Sequence, residues 1–428
     1  MKEVVIVSGA RTAIGNFGGS LKDVPLVKLG ALVIKEVLKK VGLRPIPSEE
    51  MINTYPNKLQ DKKKIDLENK YDDWDNSQIP ITVDEVIMGN VLQAGHGQNP
   101  ARQASIYAGI PKDVPAMTIN KVCGSGLKAI AIGAMSIMNG FSDVVIAGGF
   151  ENMSQTPMAL PKARWGYRME LTGKGELVDL MVLDGLFEIF YGCHMGVTAE
   201  NIASLYGITR KEQDELAFLS HTRALSAIRN GLFSEEIVPV IIKTKKGEFL
   251  FDTDERPMET SLEKMGKLPA VFKKRGTVTA GNASGINDAA AAVLLMNKEK
   301  AKDMGIEPLA KIRAFASGAV DPAYMGLGPI PAVRKVLKAT GMNINDIDLI
   351  ELNEAFAAQA LACFRELGID QNKANELGSG ISLGHPIGCT GARIVVTGLY
   401  HMKRKNYNTA LFSLCIGGGM GMAMIVDR

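Results

Sequence analysis

The chain has 428 residues, too many for one core of ordinary size and enough for two or three packed domains. Hydrophobic residues make up 46% and charged residues 22%, as in ordinary globular proteins, and a formal net charge of +3 argues against a nucleic-acid footprint, which needs a clustered basic face. The 5 cysteines, Cys123, Cys193, Cys363, Cys389 and Cys415, show neither CxxC nor Cys/His ligand spacing, which argues against a zinc site or a disulfide framework and for a reducing, cytoplasmic compartment.

The N-terminal stretch MKEVVIVSGARTAIG is apolar for only a few residues and carries no cleavage pattern, so VVIV (4–7) reads as a buried first strand. No run approaches the length of a membrane span. Residues 26–41 place apolar groups at helical spacing with lysines on the other face. DEVIMGNVL (84–92) is a second strand. KAIAIGAMSIMNG (128–140) is a buried, Ala-rich helix ended by Gly140, and DVVIAGG (143–149) is a third strand. Strands alternating with helices predict an α/β architecture whose strands are buried on both faces.

The second half repeats the plan. Residues 349–368 match the strand-then-helix order of 86–109, GCTGARIVVTGLYHMKR (388–404) parallels CGSGLKAIAIGAMSIMN, and TALFSLCIGGG (409–419) parallels DVVIAGGFE. Gly126 pairs with Gly391 in this repeat, and Gly148 with Gly417. Two similar halves burying faces on each other would share a site at their seam. Between them, 155–285 has another character, with an amphipathic helix near 208–231 opened by a Thr209/Glu212 capping box. It reads as an inserted subdomain or lid. Residues 46–80, charged in both signs and without hydrophobic periodicity, read as a solvent-exposed excursion.

Four stretches, three of them glycine-rich, could carry chemistry. In NKVCGSGLKA (120–129), Cys123 stands at the start of a helix whose dipole would favour a thiolate, yet a free cysteine also packs as a small buried hydrophobe, and the local residues do not choose. In GSGISLGHPIGCTGAR (378–393), glycines and Pro386 hold His385 in a turn after an apolar stretch that reads as a strand leaving into a pocket. In LCIGGGMG (414–421), Cys415 ends a strand and enters a turn whose backbone N–H groups could bind an oxyanion. In LNEAFAAQA (352–360), Asn353 could hold a water or a carbonyl, or cap the following helix. A cysteine with a histidine distant in sequence suits thiol catalysis.

VCGSG, NEAFA, GHPIGCTG and CIGGGMG, in this order, resemble the thiolase family on its short-chain side. VSGARTAIGNFGG, GQNPARQA, GGFENMS, CHMGVTAEN, TVTAGNASGINDAAAA and MGLGPIP extend the likeness over nearly the whole chain except 46–80. The resemblance implies two similar halves in an αβαβα arrangement with an inserted loop domain. The divisions are then 1–154 for the N-terminal half, 155–285 for a loop domain over the coenzyme A site, 286–309 for a return to the first half, and 310–428 for the C-terminal half.

It further implies condensation of two acetyl-CoA to acetoacetyl-CoA and CoA, or the reverse thiolysis, with CoA as substrate and product and no cofactor or metal. A degradative 3-ketoacyl-CoA thiolase of broader chain length is the alternative. By resemblance, Cys123 accepts the acyl group, His385 takes its proton, and Cys415 is the acid/base at the second acetyl group. One oxyanion hole would use His385 and a water held by Asn353, the other the backbone N–H groups of Cys123 and Gly417. His194, Met195, Met325, Ala355 and Phe356 would crowd the acyl and pantetheine pocket, and Leu186, Ala280 and Ser284 would contact pantetheine. A ketoacyl synthase, which shares the fold, would not need Cys415 in CIGGG. Assembly as a homotetramer follows from the family, and no nucleic acid or membrane is implied as a partner.

Overall fold

The structure is a computed structural model and describes residues 2–59, 64–169, 174–245 and 247–428. Its scaffold consists of strands β1 (Val4–Arg11), β2 (Glu85–Gly89), β3 (Ala116–Ile119), β4 (Val144–Asn152), β5 (Asn287–Asn297), β6 (Ala310–Ala319), β7 (Leu349–Leu352), β8 (Thr409–Ile416) and β9 (Met420–Asp427). The helices that pack on or near it are α1 (Leu26–Lys39), α2 (Pro100–Tyr107), α3 (Ser125–Met138), α4 (Met195–Tyr206), α5 (Arg210–Arg229), α6 (Pro329–Thr340), α7 (Ala357–Leu367) and α8 (Ile387–Lys405).

Hydrogen-bonded neighbours run β7-β8-β9-β6-β1-β5-β4-β2-β3. In the first half β2 is parallel to β3 and β4, β4 is antiparallel to β5, and β5 is antiparallel to β1. The second half repeats this: β7 is parallel to β8, β8 antiparallel to β9, and β9 antiparallel to β6. A bridge between Ile350 and Ala374 stands where β3 stands in the first half. The halves join edge to edge where Val5 meets Lys311 and Ile6 meets Ala310.

Side-chain alternation shows the layers. β1 is buried throughout. Its Val4 and Ile6 face the central helices α3 and α8, while Val5 and Val7 face the outer helices α1 and α2. β9 does the same in the second half, with Met422, Met424 and Val426 toward the centre and Ala423 and Ile425 toward α6 and α7. The order is therefore outer helices, sheet, α3 and α8, sheet, outer helices. Strands covered on both faces must be apolar at every position, which is why VVIV and AAAAVLLM read as runs without a polar face.

The helix expected at 128–140 begins earlier, at Ser125. Ser125 Oγ accepts the Lys121 N–H at 2.8 Å and donates to the Val122 carbonyl at 2.7 Å, so a serine rather than the Ala-rich pattern sets the start. Thr209 and Glu212 form the capping box of α5, and α4 and α5 both pack on α7. Among the described residues no helix is long and apolar enough to cross a membrane.

The segment expected as an exposed excursion at 46–80 is more ordered than its pattern suggests. It holds the short helices Glu49–Asn53 and Asp66–Tyr71, and its final strand Ile79–Ile81 runs parallel to Leu43–Pro45. Residues 60–63 lie outside the described residues. Its anchors are scattered side-chain contacts, among them the Tyr71 ring against Tyr107 and the Tyr55 hydroxyl at Lys112. Glu68 accepts the Lys112 N–H at 2.9 Å, and Trp74, buried beside the Lys35 ammonium, donates its indole N–H to the Gly109 carbonyl at 3.0 Å. One buried tryptophan and one buried carboxylate leave no periodic trace in a sequence.

Candidate active site

The site is built where α3 and α8 cross. A Cβ at Gly126 would come within 2.7 Å of the Ala392 backbone nitrogen, and one at Gly391 within 2.4 Å of the Leu127 nitrogen. The two helices thus touch backbone to backbone, through the glycine pair that the repeat aligns. Each is preceded by a loop bearing a reactive side chain, Cys123 before α3 and His385 before α8.

Cys123 lies just before the N-cap Gly124, not inside the first turn as the sequence suggests. Val122 has φ 46°, a left-handed conformation that costs a β-branched residue about 1–3 kcal/mol. Asn120 Oδ1 holds it by accepting the Val122 N–H at 2.8 Å. Cys123 lines a cavity of about 300 Å³, and the backbone N–H groups of Gly417 and of Cys123 itself reach its sulfur. Burial nevertheless pushes the thiol up to about 11, with the Glu151 charge adding to the rise. The helix start expected to favour a thiolate does not lower this thiol, because burial outweighs it and the neutral histidine carries no charge to offset that.

His385 is buried, 6% exposed, and burial pushes it down to about 3 with help from the Arg393 guanidinium. It is a neutral imidazole at physiological pH. It follows a single helical turn, Gly380–Leu383, and not the strand exit expected from ISL. Its backbone N–H donates to Asn287 Oδ1 at 3.0 Å. Its Nδ1 lies 2.7 Å from Thr390 Oγ1, while Nε2 is buried without a protein partner and the ring lines the cavity.

Cys415, 1% exposed, is near the end of β8, and Gly417 follows in the turn to β9. Burial raises the Cys415 thiol well above its ordinary value, and the charges of Cys123 and Cys363 oppose its ionisation further. Asn353 is fully buried behind the cavity, with Nδ2 3.5 Å from His385 Nδ1 and Oδ1 lacking a protein partner. It does not cap the next helix, because α7 starts at Ala357 with Phe356 at the N-cap.

The rest of the lining is largely apolar. Met195 begins α4, capped by His194 Nδ1, which accepts the Gly196 N–H at 3.1 Å. The His194 ring stacks on Phe272 at 4.7 Å and 18°, and Phe272 meets Phe356 edge-on at 6.3 Å. Leu186, Ser284, Met325 and Ala355 complete the wall. Ala280 lies outside this cavity, in an adjoining cleft of about 490 Å³ that shares Phe272, Ala283, Ser284, Gly285 and Ile286 with it. Among the described residues no three His, Cys, Asp or Glu side chains converge as a metal ligand set would.

Two thiols, a neutral imidazole and a pair of backbone N–H groups thus surround one apolar chamber. The thiolase N-terminal domain model matches residues 4–60 and 76–299, and the thiolase C-terminal domain model matches 306–428. The chain belongs to the thiolase family. It is similar to an acetyl-CoA acetyltransferase of Syntrophomonas wolfei, 53% identical over 428 residues that cover 100% of this chain and 99% of that one. An acetyl-CoA acetyltransferase of Cupriavidus necator is 50% identical over 430 residues, with 100% of both chains covered. The crystal structure of the Bacillus anthracis acetyl-CoA acetyltransferase superposes with a TM-score of 0.88 at 43% identity, covering 100% of this chain and 99% of that chain.

Three polar residues that shape this thiolase's site lie inside recognisable motifs whose local pattern gives no sign of their roles. Thr390 of GHPIGCTG holds the His385 ring and Asn287 of GNASGIND holds its backbone. Glu151 of GGFENMS accepts the N–H groups of Val91, Leu92 and Gly388 and the Asn90 amide, so it ties a first-half loop to the start of α8. Burial pushes Glu151 up to about 7 against the three backbone N–H groups. Their roles depend on partners remote in sequence, which no local pattern encodes.

The raised thiol has a measurable consequence. In this thiolase without substrate, alkylation of Cys123 by iodoacetamide is expected to accelerate about tenfold per pH unit between roughly pH 7 and 10, with no plateau in that range. Quantifying the alkylated Cys123 peptide by mass spectrometry checks this. A plateau near neutral pH would mean a depressed thiol and contradict the neutral state.

Proposed function

We propose that this thiolase is an acetyl-CoA C-acetyltransferase, which condenses two acetyl-CoA to acetoacetyl-CoA and CoA and also runs the reverse thiolysis through an acetyl-Cys123 intermediate. The observation that carries the reading is the convergence of Cys123, His385, Cys415 and Gly417 on one cavity walled by Met195, Met325 and Phe356. The names of the similar proteins support it.

Cys123 and His385 start as a neutral pair. As the sulfur attacks the thioester carbonyl, Nε2 takes the thiol proton. The tetrahedral oxyanion collapses, the carbon–sulfur bond to CoA breaks, and CoA leaves with the proton of Cys415, while Nε2 keeps the one from Cys123. In the second half, the Cys415 thiolate so formed removes a proton from the methyl of a second acetyl-CoA, and the carbanion attacks acetyl-Cys123. Until then the Nε2–H of His385 and a water on Asn353 stabilise the enolate oxygen, and the N–H groups of Cys123 and Gly417 stabilise the other oxyanion. The Cys123 sulfur is then released and reprotonated by His385. The unpartnered Asn353 Oδ1 suits an amide that holds a water. One such donor is typically worth about 3–4 kcal/mol in the transition state.

We assign the adjoining cleft, with Ala280 and Ser284 in its wall, to the pantetheine arm of CoA, and the segment 155–285 to a cover over it. A cytoplasmic location and a homotetramer belong to the same proposal and rest on the family resemblance. The reaction needs no cofactor, because the thioester supplies the activated carbonyl.

Turnover tests the reading. Thiolysis of acetoacetyl-CoA is expected to exceed thiolysis of longer 3-ketoacyl-CoAs, and Met195→Ala should shift the ratio toward the longer substrate by about tenfold per methylene admitted. An unchanged ratio would remove the assignment of Met195 as the limit on chain length. A wild-type preference for long chains would favour the degradative alternative.

A further inference from the structure

Thr390 is five residues beyond His385, on the first turn of α8. Its hydroxyl has one proton and two lone pairs. Oγ1 lies 3.0 Å from the Pro386 carbonyl, an acceptor only, so the proton goes there. The lone pairs then face His385 Nδ1 at 2.7 Å and call for an N–H on that nitrogen. The other end of the ring agrees. Nε2 is buried with no protein partner, and a buried N–H without an acceptor is rare and costly, whereas a bare nitrogen can meet the Cys123 thiol.

A competitor for the ring is in place. Asn353 Nδ2, a donor, lies 3.5 Å from the same Nδ1. It would favour the opposite tautomer, in which Nδ1 accepts and Nε2 carries the proton. In that form the imidazole can donate to a thioester oxygen but cannot take the proton of Cys123.

We propose that Thr390 is a positioning residue that selects the Nδ1–H tautomer of His385 against Asn353, and so keeps Nε2 free to accept the thiol proton. This rests on the reading of His385 as the base for Cys123. The tautomer itself is readable whether or not the protein turns over.

The test compares Thr390→Val, which keeps the shape and loses the hydroxyl, with Thr390→Ser, which keeps the hydroxyl. Two readouts are needed: the histidine 15N shifts of His385, and the single-turnover rate of Cys123 acetylation by acetyl-CoA. The wild type and Thr390→Ser are expected to show the Nδ1–H tautomer and similar rates. Thr390→Val is expected to show Nε2–H or a mixture, with acetylation slowed about 100-fold at an unchanged melting temperature. Retention of Nδ1–H and of the rate in Thr390→Val would overturn the proposal. So would an equal loss in Thr390→Ser, which would assign the effect to the methyl group. Failure of the wild type to acetylate Cys123 would instead overturn the acyl-transfer reading, while the 15N comparison still decides the role of Thr390.

Discussion

Cys415→Ala should lower steady-state condensation and thiolysis by roughly 10³-fold while Cys123 still acquires an acetyl group from acetyl-CoA. The two thiols flank one cavity, and each is raised by burial. The charge of Cys123 is among the things that oppose ionisation of Cys415. Two thiolates cannot share this site cheaply. Cys123 is a neutral thiol at rest and an acyl thioester after the first half-reaction, so it holds no charge against Cys415, which loses its proton to the departing CoA. Removing Cys415 leaves the nucleophile and its base in place and deletes the base for the second half. The variant should therefore accumulate acetyl-enzyme, seen as a stable mass shift with turnover nearly gone. Its fold should hold, since an alanine loses only one sulfur from the cluster of Met195, Ala199, Val278, Ala283, Met325, Ala355 and Phe356. A variant that turns over at a tenth of the normal rate or better would place the second proton transfer elsewhere.

Cys123→Ser is expected to lose roughly 10⁴-fold or more in both directions. The substitution preserves shape at the strained Val122 turn, so the loss reads chemistry and not folding. His385 sits at about 3 and is a weak base. It can accept a proton from a thiol whose sulfur is already bonding to carbon, but an alcohol is far less acidic. An ester at this position would also lack the thioester's readiness for carbon–carbon bond formation. Coupled assays of acetoacetyl-CoA thiolysis measure the loss. Serine at or near wild-type turnover would mean that Cys123 packs and does not react.

Much of this arrangement is legible in the sequence because it rests on repeats and short-range rules. The doubled strand–helix order, the Gly126 and Gly391 pair and the Thr209 cap depend on neighbouring residues or on an internal match, and they appear in the structure where the pattern puts them. The start of α3, the helical turn before His385 and the anchors of 46–80 are not legible in the sequence. Each depends on one or two side-chain contacts, such as Ser125 with Lys121 or Trp74 with Gly109. The ionisation of the site was misjudged for a related reason. Helix ends and histidines are visible in a sequence, but the depth at which two halves bury a sulfur is not. That depth turns a thiol expected to be acidic into one that ionises reluctantly, and makes the neutral imidazole the working form.

The most direct measurement is the intact mass of the wild-type protein after mixing with acetyl-CoA in the absence of free CoA. The expected result is a gain of one acetyl group, located on the peptide that contains Cys123, slowed in His385→Ala and discharged when CoA is added. No adduct, or an adduct on Cys415 in place of Cys123, would contradict the assignment of Cys123 as the residue that carries the acyl group.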